Sequence, residues 1–198
     1  MSRSRRTLAV LAALLVSGGL SACGKHLDEQ ARVIQIENEG LYLPLGELKY
    51  QVQGSRQLNP ADLQDKNLLV GVPAAQKELK PDEVWFGVFM QVENESDEPL
   101  SPSGEVEIVD TQEDVFKPLF LEETNRFAYR STEPIPAGEL APLPDTPGFN
   151  TANQGSMLLF KLTLDALDNR PLELKIESST TEQTGIIEIG RASCRERV

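Results

Sequence analysis

Residues 84–94 (VWFGVFMQVEN) constrain the fold more than any other segment of the chain. Apolar side chains occupy every second position of this run: Val84, Phe86, Val88, Met90 and Val92. Side chains on a β-strand alternate between its two faces, so this pattern predicts a strand with one face in a core. The intervening positions include Trp85 and Phe89, so the opposite face is also partly apolar, and the reverse assignment of the two faces stays open.

Shorter segments of the same kind recur along the chain. They are residues 41–43, 48–53, 105–109, 115–119, 157–162 and 172–176, with further candidates at 33–36, 68–72 and 186–187. Turn-forming residues separate them, and no amphipathic helical pattern of ten residues or more is present. The sequence therefore predicts an all-β protein, an antiparallel β-sandwich of seven or eight strands.

The N-terminus has the pattern of an export signal. Arg3, Arg5 and Arg6 precede an apolar run over residues 8–16, which is too short to span a bilayer as a helix. The next motif, Leu20-Ser21-Ala22-Cys23, resembles the lipobox of bacterial lipoproteins. The resemblance implies that residues 1–22 are a lipoprotein signal peptide and that Cys23 carries the lipid. The alternative is an ordinary secretory peptide that leaves Cys23 free.

Lipidation would place the protein outside the cytosol. Two or three acyl chains give stable anchoring, so we expect the membrane to be a partner through the N-terminal lipid. The expected location is the outer face of the bacterial cell membrane, or the outer membrane in a cell with two membranes. Residues 23–39 are predicted to be the lipidated cysteine and a tether, and residues 40–188 the sandwich.

The C-terminal residues 189–198 differ in composition from the rest of the chain. The run EIGRASCRERV resembles the translation of a sequencing-adapter oligonucleotide, which implies that 189–198 is a non-native tail. The alternative is a genuine basic tail. Under the adapter interpretation Cys194 has no biological role, and we expect no disulfide.

The charge of the chain excludes one class of partner. Residues 23–188 contain 13 basic and 30 acidic side chains. Nucleic-acid binding requires clustered Lys and Arg to neutralise phosphates, so no nucleic-acid partner is expected. The same charge repels anionic lipid headgroups, so we expect the body to stand away from the membrane.

The segments over residues 85–100 and 107–112 resemble a bacterial immunoglobulin-like lipoprotein domain of unknown function. In that family a strand ending in V-x-N-x-S/T-x-x-P-L precedes a strand that reads I-x-D-x-x-G, and the secreted mycobacterial immunoprotective antigen has a similar sandwich. The resemblance implies an immunoglobulin-like fold and brings no catalytic residue. This chain has Glu113 where the family often has Gly.

The residues required for most hydrolytic mechanisms are missing. The only His is His26, in the predicted tether, and Cys23 is the predicted lipid site. Paired carboxylates remain as candidates for acid–base chemistry: Asp82/Glu83, Asp110/Asp114 and Glu122/Glu123. Chance proximity is expected among so many acids, so we predict a protein that is not an enzyme and has no catalytic residue and no cofactor.

Two groups are candidates for binding. Asp110, Glu113 and Asp114 offer oxygen ligands for Ca²⁺ in a predicted hairpin loop, against the alternative of a solvated loop tip. Trp85 and Phe89 are candidates for an exposed aromatic patch, against the alternative that a second layer covers them. The long segment 132–150, rich in Pro and Gly, is the predicted contact loop.

These observations favour a lipid-anchored, non-catalytic binding or accessory module whose partner is an envelope protein or a wall polymer. A calcium-dependent envelope module is one alternative, and a carboxylate-dependent hydrolase is another.

Overall fold

The computed structural model describes residues 32–150 and 154–190. The predicted signal peptide, Cys23, His26 and Cys194 lie outside these residues. The strands are β1 (Val33–Ile36), β2 (Tyr42–Leu45), β3 (Leu48–Leu58), β4 (Glu83–Asn94), β5 (Val106–Val109), β6 (Val115–Phe116), β7 (Leu140–Ala141), β8 (Ser156–Thr163), β9 (Leu172–Glu177) and β10 (Thr184–Ile189). Two short α-helices, α1 (Leu63–Leu68) and α2 (Leu164–Asp168), and a 3₁₀ turn at Ala74–Gln76 complete the elements.

The strands form two sheets packed face to face, which confirms the predicted all-β sandwich. The first sheet has the order β1-β10-β9-β5-β6. In the second sheet β2, β3 and β4 are consecutive neighbours, and both β7 and β8 pair with the remaining side of β4. The ten described strands exceed the predicted seven or eight because the candidates at 33–36 and 186–187 both lie in strands, and because β7 is a two-residue strand that no sequence pattern predicted. One pair is parallel: β1 lies alongside β10.

The core between the sheets contains the face of β4 that the alternation predicts. The side chains on this face are all buried between the two sheets: Val84, Phe86, Val88, Met90 and Val92. The facing sheet contributes the buried side chains of β9 and β10, which are Leu172, Leu174, Ile176, Ile187 and Ile189. The hydrophobic free energy of this burial stabilises the two-sheet arrangement.

Both boundaries of the sandwich differ from the expected 40–188. Strand β1 lies within the segment 23–39 that the sequence assigned to the tether, because Ile34 and Ile36 point into the core. At the other end Ile189, the first residue of the predicted non-native tail, is fully buried in β10. The sandwich therefore includes β1 and Ile189, both of which lie outside the predicted bounds.

The prediction of a strand at residues 68–72 is wrong. Leu68 is the last residue of α1, and Asp62 caps that helix by accepting hydrogen bonds from the backbone N–H groups of Gln64 and Asp65. A short apolar run is compatible with either helix or strand, and here the cap decides for the helix. None of the described helices has the length and apolar character that crossing a membrane requires.

A second, smaller core lies on the outer face of β4 and β8. Residues 63–72 and 119–128, which we call the outer cover, supply Leu68, Val72 and Leu121 to it. The sheet supplies the remaining buried members, Leu58, Trp85, Phe89, Met157 and Leu159. Because Trp85 and Phe89 alternate with the inward residues of β4, the second sheet is apolar on both faces and requires this extra layer.

We call the end of the sandwich where β1 begins the tether end. There the N–H of Thr184 donates to the carbonyl of Arg32 at 2.7 Å, and the N–H of Glu177 donates to the carbonyl of Glu105 at 3.0 Å. The last residue of β4, Asn94, is at the same end, since the next residue bonds to the β2–β3 turn. The loop after β5, with Asp110, lies at the opposite end.

Candidate binding cleft

Two adjoining cavities open beside β8, in the half of the sandwich nearer the tether end. Their volumes are about 220 Å³ and about 310 Å³. A common wall separates them, formed by Glu123, Ala128, Tyr129, Arg130 and Glu133, which line both cavities. We call the pair the cleft, and its two parts the smaller and the larger cavity.

Hydrogen bonds to β8 and to the loop before β5 fix the common wall in place. The backbone N–H of Tyr129 donates to the carbonyl of Met157 at 2.9 Å. The Tyr129 hydroxyl donates to the carbonyl of Ser103 at 2.8 Å, and the N–H of Ser103 donates to the Tyr50 hydroxyl at 2.9 Å. Burial raises the pKa of Tyr129 well above its usual value of 10 and also raises that of Tyr50. Both phenols therefore remain protonated, and the wall keeps its donor.

Arg130 has a structural role within the wall. Its guanidinium donates to the carbonyl oxygens of Leu121 at 2.6 Å, Glu122 at 2.8 Å and Asn125 at 3.2 Å. These bonds direct its donors into the turn 121–125. Among the described residues it forms no ion pair with a carboxylate.

Asn125, which lines the larger cavity, links the two segments of the outer cover. The residue is 3% exposed, and its amide donates to the carbonyls of Leu68 at 2.8 Å and Val70 at 2.7 Å. Its side-chain oxygen accepts from the N–H of Phe127 at 2.8 Å. One buried side chain thus joins the two segments of the outer cover, and all of its hydrogen-bonding groups have partners.

The mouths of the cavities carry exposed side chains of two kinds. Phe120, which lines the smaller cavity, is 76% exposed, and Leu143, which lines the larger one, is 42% exposed. Glu123 and Glu133 are also exposed, and neither carboxylate forms a hydrogen bond or ion pair within the described part of the chain. Arg126 lines only the larger cavity.

The aromatic candidates Trp85 and Phe89 do not form an open patch. They are 4% and 2% exposed because the outer cover packs on them, which is the second of the two alternatives predicted for these residues. A cation also lies over each ring. The Lys161 ammonium is 5.2 Å from the centroid of the Trp85 ring, and the Arg56 guanidinium is 5.9 Å from the centroid of the Phe89 ring.

The calcium candidates Asp110, Glu113 and Asp114 lie in the β5–β6 loop but do not converge on one point. One oxygen of Asp110 accepts from the N–H groups of Gln112 and Asp114, both at 2.9 Å, and the other accepts from the Asn169 amide at 3.2 Å. Asp110 is 6% exposed, so its carboxylate shapes the loop and faces away from solvent. Within residues 32–150 and 154–190, no three His, Cys, Asp or Glu side chains approach closely enough to hold a metal ion.

The predicted carboxylate pairs are divided among separate structural roles. Lys80 donates a side-chain hydrogen bond to Glu83 and lowers its pKa, so this group remains an ionised partner of Lys80. Glu123 belongs to the cleft, where the second carboxylate is Glu133 and not the predicted Glu122. Both cleft carboxylates are exposed, whereas a general acid is tuned by burial.

The sequence did not indicate the cleft, although one signal pointed to part of it. The segment 132–150, predicted as the contact loop from its Pro and Gly content, supplies Pro134, Pro136, Pro142 and Leu143 to the larger cavity. The wall comes from Glu133 and from residues 123–130, and the pairing of Ala128 and Tyr129 with β8 leaves no local sequence pattern.

Comparison with known proteins gives similar solved structures but no family. An uncharacterised β-sandwich protein from Clostridium difficile is 10% identical, with 83% of this chain and 98% of that chain covered and a TM-score of 0.45. The yjhA protein from Bacillus subtilis is 11% identical over 78% of this chain and 99% of its own, also with a TM-score of 0.45. A conserved hypothetical protein from Bacillus anthracis is 10% identical over 70% and 88%, with a TM-score of 0.42. No protein-family model matches the chain, and the curated proteins contain no match to it.

Proposed function

We propose that this protein is a lipid-anchored, extracytoplasmic binding module without catalytic activity. The observation that carries the proposal is the position of Cys23, directly after Leu20-Ser21-Ala22 and an arginine-led apolar run. Lipid on this cysteine would hold the sandwich at a membrane surface, where an envelope protein or a wall polymer is the expected partner.

The start of the first strand supports a short connection to that anchor. Residues 24–32 lie between Cys23 and β1. An extended chain spans at most about 3.3–3.6 Å per residue, so the tether end would remain within roughly 35 Å of the acylated sulfur. The cleft lies in the same half of the sandwich, which would keep it within reach of neighbours at the membrane surface.

The chemistry of the cleft supports binding over catalysis. The residues lining its two cavities include neither His nor Cys, and the two carboxylates they include are solvated. Concave, mostly apolar surfaces with a few charged groups at the rim are typical of ligand sites.

Metabolic labelling with an alkyne-bearing fatty acid in a bacterial host tests the anchor. We expect the wild-type chain to be labelled and to sediment with membranes, and Cys23→Ala to lose both properties, because the thioether requires the sulfur. Cys194→Ala is the matched control and should keep both properties. An unlabelled wild-type chain, or a Cys23→Ala variant that keeps the label, would contradict the proposal.

A further inference from the structure

We propose that the cleft binds an extended polypeptide, with an arginine or lysine side chain in the smaller cavity and an apolar side chain in the larger one. This inference rests on the binding role proposed above and names the ligand class for the same site.

The smaller cavity has the chemistry that recognises an organic cation with an apolar stem. Glu123 and Glu133 line it with carboxylates that have no partner among the described residues. Phe120, 76% exposed, offers a ring face, and cations are attracted to such faces. The cavity walls include Val106, Leu121 and Leu158, against which methylene groups can pack.

Arg130 is the one basic residue that lines the smaller cavity, and it is already hydrogen-bonded within the protein. Arg130 directs three of its five N–H donors to backbone carbonyls of the turn 121–125, and it forms no ion pair with either glutamate. Among the described residues, the lining groups without a side-chain partner are therefore the two glutamates, the Phe120 ring and the hydroxyls of Ser131 and Thr132.

The larger cavity favours a different side chain. Arg126 and Arg130 both line it together with the same two glutamates, so its formal charges sum to zero, whereas the smaller cavity has one arginine for the two glutamates. Its other walls are apolar and rich in proline, including Pro102, Ile135 and Pro142. An uncharged apolar side chain fits this lining better than a second cation.

A polypeptide suits two such cavities better than a free cation or a glycan. A small free cation would occupy one cavity and leave the adjoining apolar one empty. A glycan needs many hydrogen-bonding partners, whereas the Tyr129 hydroxyl and three of the five Arg130 donors in the shared wall are already bonded within the protein. The side chains of an extended peptide can enter adjoining cavities together.

Affinity selection from a synthetic library of random, end-blocked octapeptides tests the inference. The protein is the full-length lipidated chain in uncharged detergent, and the retained peptides are sequenced by mass spectrometry. We expect retained peptides to be enriched in Arg or Lys next to an apolar residue. Retention of no peptides, or of peptides without this enrichment, would overturn the inference.

Variants of cleft residues test whether the selected peptides bind in the cleft. For a retained basic peptide, we expect Glu123→Gln with Glu133→Gln to weaken binding about 3- to 30-fold, the range for losing two solvent-exposed ion pairs. Phe120→Ala should weaken binding as well. Glu113→Gln with Glu182→Gln removes the same charge at exposed positions away from the cleft and should leave the affinity unchanged. Equal losses in the two double variants would show nonspecific attraction and overturn the assignment.

Two further ligands separate this inference from the proposed function. Spermidine binding as tightly as the selected peptides would show a free-cation site and overturn the polypeptide assignment. Binding of soluble cell-wall glycopeptide fragments without any peptide selection would keep the binding module and overturn this inference. Fatty-acid labelling at Cys23 is independent of all these outcomes.

Discussion

Glu113 has a left-handed backbone conformation, with a φ of +67°. It lies in the β5–β6 loop, where its N–H donates to the carbonyl of Asp110 at 3.1 Å and the N–H of Asp110 donates to the carbonyl of Asp114 at 3.2 Å. A residue in this conformation commonly closes such hairpin loops, and glycine adopts it without the steric cost of a Cβ. Glutamate at this position therefore carries backbone strain that the related pattern with glycine would avoid.

We expect Glu113→Gly to stabilise the protein. Relief of the left-handed strain is worth about 1–2 kcal/mol, and the greater flexibility of unfolded glycine offsets about 0.5–1 kcal/mol of it. The expected result is a Tm about 1–4 °C higher, measured by calorimetry. Glu113→Ala removes the same carboxylate but keeps the Cβ, so it should give no comparable gain. Equal shifts in the two variants would show that charge, not strain, is responsible.

Asp65 couples the folded state to pH. Its two oxygens accept from the Arg56 guanidinium at 2.6 and 3.1 Å, and one also accepts from the N–H of Asn59 at 2.7 Å. The hydrogen bond from Arg56 lowers the pKa of Asp65 below its usual 3.8. The folded pKa is thus below the unfolded one, so the stabilisation is complete above about pH 4 and is lost as pH falls through the folded pKa.

Replacement of Asp65 should therefore make the free energy of unfolding depend less on pH in the acid range. We expect Asp65→Asn to be less stable than wild type at pH 6, with a free-energy difference that shrinks as the pH falls from 4 toward 2. Urea unfolding at each pH measures it. The exposed Asp97→Asn change is the control, since this carboxylate has no ion-pair partner among the described residues. A wild-type-to-variant difference that is constant with pH would contradict the coupling.

At the scale of elements, one buried side chain links the two segments of the outer cover to each other. Asn125 bonds to both segments, and the only Trp of the chain, Trp85, lies beneath them. The fluorescence of that indole therefore reports directly on the cover.

We expect Asn125→Ala to loosen the outer cover while the sandwich stays folded. The change removes the partner of three backbone groups, one in a buried hydrogen bond and two in part-buried ones, which costs about 2–4 kcal/mol. Trp85 emission should shift to longer wavelength, and amide hydrogens of residues 119–128 should exchange faster than those of β9. Asn150→Ala removes an exposed amide that bonds only loop carbonyls, and it should leave the emission unchanged. An unchanged spectrum in Asn125→Ala would contradict this role.

The elements that the sequence predicted are those whose signal is local. The alternation in 84–94 predicted β4 and favoured the inward face that the structure shows, with the reverse assignment open, and the apolar runs at 157–162 and 172–176 correspond to β8 and β9. The outer cover and the cleft were missed because they depend on contacts between distant segments, such as Asn125 with Leu68. Apolar residues on both faces of β4 were the available signal for a second layer. The sequence did not show which segments of the chain would cover the outer face.

The whole molecule carries an excess of negative charge that few contacts compensate. The chain has 31 acidic and 19 basic side chains, a formal charge of −12. Among the described residues four ion pairs form: Lys49–Glu95, Arg56–Asp65, Lys80–Glu83 and Lys175–Glu173. Repulsion among the remaining carboxylates opposes the compact state.

Salt should therefore stabilise the fold. We expect the Tm to rise by a few degrees between 10 and 300 mM NaCl, because the screening length falls from about 30 Å to below 8 Å. Choline chloride at equal ionic strength should give the same rise, since screening does not depend on the cation. A Tm that falls with salt would show that the ion pairs outweigh the repulsion.

The parallel pairing of β1 with β10 has a mechanical consequence. Residues 33–36 of β1 lie opposite residues 184–187 of β10, in that order, and both strands begin at the same end of the sheet. A force applied at residue 32 along the axis of β1 would load these four positions in shear at the same moment, so they could not separate one after another. The chain would therefore resist extraction from its N-terminus more strongly than peeling perpendicular to the strand.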